Sequence, residues 1–98
     1  MIKKRPLSSR PICRVTFEIP ATVGVTHASV VGDFNGWNPD VNVMKRLKDG
    51  RLTATIPLPS ESGYAFRYLA DGGHWHIDES ADSLVQNPYG GHDSYLRL

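Results

Sequence analysis

Two tryptophans are the residues of this chain best suited to molecular recognition. Trp37 follows Asn35-Gly36 and precedes Asn38-Pro39, and Trp75 comes just after the turn formers Asp71-Gly72-Gly73. A flat indole face at a turn suits a sugar ring, which presents C–H groups on one side and hydroxyls around its edge. Indoles also close the ends of a hydrophobic core, and by composition alone that use fits slightly better.

Other reactive residues assemble no active site. The ten Asp and Glu are scattered, and their spacing says nothing about a glycosidase-like separation. No serine stands in a G-x-S-x-G elbow, and Cys13 falls on the apolar side of a strand pattern, where a thiol acts as a small hydrophobe. His74 and His76 would share one face of a strand, but no third ligand follows at a recognisable spacing, so no metal site is expected. Gly72-Gly73 and Gly90-Gly91 lack the context that cradles phosphates. The expectation is a protein with no catalytic residues and no cofactor.

Ninety-eight residues suit one small domain. They exclude a (β/α)₈ barrel, which needs about 250 residues. Eleven Lys and Arg against ten Asp and Glu leave a net charge of +1, so no global field recruits nucleic acid or an anionic membrane. Lys3, Lys4, Arg5, Arg10 and Arg14 nevertheless crowd the start of the chain. A nucleic-acid-binding arm is one reading; the reading adopted is a solvated, flexible basic arm over residues 1–10, with a single domain over 11–98. This segment lacks the apolar core of a secretory signal, and no run approaches the roughly 20 apolar residues of a membrane span. With Cys13 alone, a reducing, cytoplasmic setting is expected.

The elements that must position the tryptophans read as strands. Between Ile12 and Ile19, Cys13, Val15, Phe17 and Ile19 alternate with Arg14, Thr16 and Glu18, the period of two of a strand with one buried face. Residues 27–31 form a shorter candidate and 43–47 a weaker one. Asp49-Gly50 signals a hairpin into residues 52–58, which Pro57 and Pro59 are expected to end. The clearest strand spans 64–70, and 74–78 returns from it; 94–98 closes the domain. Residues 80–85 read as one helical turn. The fold class is all-β: an immunoglobulin-like antiparallel β-sandwich of about seven short strands.

The hairpin at Asp71 decides what Trp75 does. A three-residue loop, Asp71-Gly72-Gly73, pairs Leu69 with Trp75 and sets Trp75 beside Leu69 and Arg67, away from Tyr64, Phe66 and Tyr68. A two-residue loop, Gly72-Gly73, would turn the ring inward. The longer loop is preferred, because Gly73 can end it in the left-handed conformation without strain.

Several stretches together carry a family likeness. Val30-Val31-Gly32-Asp33-Phe34-Asn35-Gly36-Trp37-Asn38 resembles the G-x-F-N-x-W signature of family-48 carbohydrate-binding modules. These include isoamylase N-terminal domains and the glycogen-binding domain of the AMP-activated protein kinase β subunit. Residues 64–72 look like the family's Y-x-Y-[KR]-[FY]-x-V-D-G strand, with Trp75 following. Asp78, Ala81, Asn87-Pro88, Tyr89-Gly90 and Ser94 resemble its tail, so the likeness runs from about Pro11 to Leu98.

The resemblance implies an α-1,4-linked glucan stacked on Trp37 and Trp75, with Arg67 as hydroxyl donor and Tyr89 as an apolar or stacking contact. Asp93 stands where the family has asparagine, keeping an acceptor and losing the amide donor. Register adds Leu69 to the same candidate face. The function expected is a non-catalytic glucan-binding module, and the length corresponds to such a module without a catalytic barrel. The alternative is an interaction or regulatory subunit whose sandwich edge docks a glucan-metabolising enzyme or kinase.

Overall fold

The computed structural model describes residues 2–6 and 11–98. Among the described residues nine strands follow in order: β1 (Ile2–Pro6), β2 (Ile12–Ile19), β3 (Ala28–Gly32), β4 (Lys45–Arg46), β5 (Leu52–Pro59), β6 (Gly63–Ala70), β7 (His74–His76), β8 (Ser83–Gln86) and β9 (His92–Arg97). They form two antiparallel sheets, one ordered β1-β2-β5-β4 and the other β3-β6-β9-β8 with β7 added to β6. The protein is an all-β sandwich. Among the described residues no α-helix forms, and no helix is long and apolar enough to cross a membrane.

The core sits where the alternation places it. Cys13, Val15, Phe17 and Ile19 of β2 are buried against Phe66, Tyr68 and Ala70 of β6. Phe17 lies at the centre, its ring centroid 5.0 Å from Phe66 in an edge-on contact and 5.8 Å from Phe34. Cys13 is a buried free thiol within this cluster.

Four expectations change. The flexible arm expected over 1–10 is instead a strand over Ile2–Pro6, in register with β2 from Ile2–Phe17 to Pro6–Cys13; residues 1 and 7–10 lie outside the described residues. Ile2, Lys4 and Pro6 share the inward side with Phe17, Val15 and Cys13, and Lys4 reaches Asp82 at 2.6 Å. The helical turn over 80–85 is replaced by β8, which pairs with β9. Leu84 there is half-exposed at a sheet margin, where pairing with β9 outweighs a short helical run. The candidate over 43–47 shrinks to β4. Pro59 ends β5 opposite Ile12, as expected, but Pro57 lies within the strand, opposite Arg14. Since β4 covers β5 only at Leu52 and Thr53, both prolines can turn their missing N–H toward an open side.

Candidate functional site

The loop after β3 builds the first half of the site. Gly32 has no room for a side chain: a Cβ would fall 2.6 Å from the Ala65 carbonyl oxygen and 2.7 Å from the Phe66 Cβ. Phe34 then inserts toward Phe17 and Tyr64, anchoring the turn to the core. Asn35 ties the loop down, donating from Nδ2 to the Val30 carbonyl and to Asn42 Oδ1, both at 2.8 Å, and accepting from the Gly32 N–H. Gly36 and Trp37 both take positive φ, +65° and +59°. For a tryptophan that conformation is strained by about 1–2 kcal/mol. Neighbouring bonds hold it: the Trp37 N–H donates to the Gly32 carbonyl, and its indole Nε1–H donates to Asp33 Oδ1 at 3.0 Å.

The β6–β7 hairpin builds the second half. Leu69 pairs with Trp75 and Ala70 with His74, across the three-residue turn Asp71–Gly73, with Gly73 at φ +82°. The register expected for the longer loop is the one formed. Trp75 therefore stands on the outer face, 49% exposed, with the Arg67 guanidinium carbon 5.7 Å from its ring centroid. Asp71 braces the turn: its carboxylate accepts from the Thr26 N–H, the Thr26 hydroxyl and the His27 N–H. Those bonds, led by the one from the Thr26 backbone, hold its pKa below the usual carboxylate value.

The turn between β8 and β9 supplies the third wall. Asn87 Oδ1 accepts from the Tyr89 and Gly91 N–H groups, folding the turn and leaving Tyr89 93% exposed at its tip. Asp93, only 8% exposed, takes the Arg67 Nε–H at 2.5 Å and the Asn87 amide at 3.3 Å on one oxygen. The pair holds Arg67 against the sheet, and among the described residues its two terminal amino groups have no intramolecular hydrogen-bond partner.

Trp37, Arg67, Trp75, Tyr89 and Asp93 thus converge on one groove of about 660 Å³, together with Asp33, Ala65, Asn87 and Pro88. Such a groove is the size of a typical ligand site. Leu69 is not brought in: it shares the face of Trp75 but lines a neighbouring shallow depression with Val43 and Ser29. Two residues escaped sequence reasoning. Asp33 also accepts the Ala65 N–H at 2.8 Å, joining the Trp37 loop to β6, and Asn87 connects the Tyr89 turn to Asp93. Both stood inside the motif stretches, so their position was visible while their partners were not.

A second depression, about 350 Å³, opens at one end of the sandwich beside Val23, Tyr68 and His76. It offers no open aromatic face: Tyr68 is buried and donates to Asp78 at 2.6 Å, and burial raises its hydroxyl pKa. Among the described residues no group of three or more His, Cys, Asp or Glu could hold a metal ion. Compared with known proteins, the chain matches no family model and no curated protein.

Proposed function

We propose that this protein is a non-catalytic carbohydrate-binding module that holds α-1,4-linked glucan in the groove between Trp37 and Trp75. What carries the reading is that two exposed indoles, Trp37 at 36% and Trp75 at 49%, line one groove together with Arg67. Exposing two indoles forgoes their burial, and a sugar's C–H faces would restore it. Arg67 has donors to spare for ring hydroxyls, and its pairing with Asp93 neutralises its charge, which suits a neutral ligand. Asp93 acts mainly by orienting Arg67. The glucan class and linkage rest on the resemblance to family-48 modules. The lone thiol of Cys13, buried in β2, fits a reducing, cytoplasmic setting.

The test is a titration of ¹⁵N-labelled protein with maltoheptaose, with cellohexaose as the β-linked control. Binding should move both indole N–H signals at millimolar maltoheptaose and leave them still with the control. If neither indole responds to maltoheptaose, the proposal fails.

A further inference from the structure

The opposite face of the sandwich carries a second feature, independent of the sugar groove. Lys3, Arg5 and Arg14 are exposed there and line a shallow depression with Thr16, Thr55 and Pro57. The register stacks them in two rows: Lys3 opposite Thr16 and Thr16 opposite Thr55, then Arg5 opposite Arg14 and Arg14 opposite Pro57. Lys4, Arg51 and Arg67 each have a carboxylate partner, whereas among the described residues Lys3, Arg5 and Arg14 have none. Directly opposed like charges destabilise a sheet, so folding does not account for Arg5 facing Arg14. Strand β1 is also terminal in its sheet, and among the described residues its far side is unpaired.

We propose that this face, with the open edge of β1, docks an extended acidic segment of a partner protein. A strand laid beside β1 would complete its main-chain hydrogen bonding. Its alternate side chains, spaced about 6.8 Å apart, would follow the spacing of Lys3 and Arg5. Carboxylates at those alternate positions meet both cations, and Arg14 lies one strand further in. A nucleic acid or lipid headgroup matches the charge but has no peptide groups to pair with the edge. That edge is what selects a polypeptide.

The probe is a capped heptapeptide alternating glutamate with valine or threonine, compared with one of the same composition whose glutamates are contiguous. Added to the ¹⁵N-labelled full chain, the alternating peptide should shift the amides of Ile2, Lys3, Lys4 and Arg5 and slow hydrogen exchange at those that face the open edge. The Arg5→Thr/Arg14→Thr double variant should bind it roughly tenfold more weakly, the effect of losing two exposed ion pairs. Its Tm should be unchanged or higher, because the opposed charges are gone. The proposal is overturned by no shift at millimolar peptide, or by equal binding of the two peptides. It is also overturned if an oligonucleotide or phosphatidylserine vesicles bind the same amides more tightly without slowing exchange, or if the double variant binds normally.

Discussion

Asp33 accepts from the Trp37 indole on one oxygen and from the Ala65 N–H on the other, so a single carboxylate fixes an exposed ring relative to β6. Asp33→Asn replaces one of those acceptors with a donor. We expect it to lower stability by about 1 kcal/mol, measured by urea denaturation, and to weaken maltoheptaose binding through a less ordered indole. Trp75 is simpler, since its ring contributes surface to the groove rather than to the core. Trp75→Ala should weaken glucan binding by about 1–3 kcal/mol in calorimetry, with the thermal midpoint little changed. A collapse of the fold in that variant would place the ring in the core, against its exposure. Arg67 depends on Asp93 for its orientation, and this coupling is invisible in a chain where the two are 26 residues apart.

At the level of elements, the β6–β7 hairpin is the device that presents Trp75, and its turn has two separable supports. Gly73 at φ +82° has open space around the position of a Cβ, so a side chain there meets backbone strain and no clash. Gly73→Val should therefore destabilise the protein by about 1–2 kcal/mol in thermal or urea unfolding and shift the Trp75 indole signal. Asp71 is the second support, and it makes the hairpin sensitive to acid. Its pKa is lowered in the folded state, so the unfolded chain takes up the proton more readily. Its stabilisation is complete above the ordinary carboxylate range and disappears as pH falls through the lowered value. Asp71→Asn should lower stability at neutral pH and flatten the acid limb of a Tm-against-pH curve between about pH 5 and 2.

For the molecule as a whole, both faces depend on one small core centred on Phe17. Phe17→Ala should remove about 3–5 kcal/mol. A domain of this size has roughly 5–15 kcal/mol in total, so urea melts should show a shallow or absent folded baseline. Sugar binding should fall in proportion to the unfolded fraction, unlike the selective loss in Trp75→Ala. The two sheets point their outer faces in opposite directions, so glucan on one and a protein segment on the other would not compete.

How much of this was legible depended on the range of each interaction. The alternation of Cys13 to Ile19 and of Tyr64 to Ala70 identified the sandwich's inner faces, because a period of two is set by the backbone itself. Gly73 supported the hairpin register, and with it the outward Trp75, because turn geometry is local. The strand at Ile2–Pro6 and the one at Ser83–Gln86 were missed, since each gains its stability from a neighbour and little from its own pattern. Leu69 was placed on the correct face but outside the groove, whose walls come from loops the register says nothing about. By itself the sequence determined the β-rich fold class, the facing of the long strands and the residues worth watching. Only the tertiary structure decided that Trp37, Trp75, Arg67 and Tyr89 meet, that Asp33 and Asp93 hold them, and that three basic residues gather unpaired on the far sheet. Those outcomes rest on contacts between segments distant in the chain, which no local period encodes.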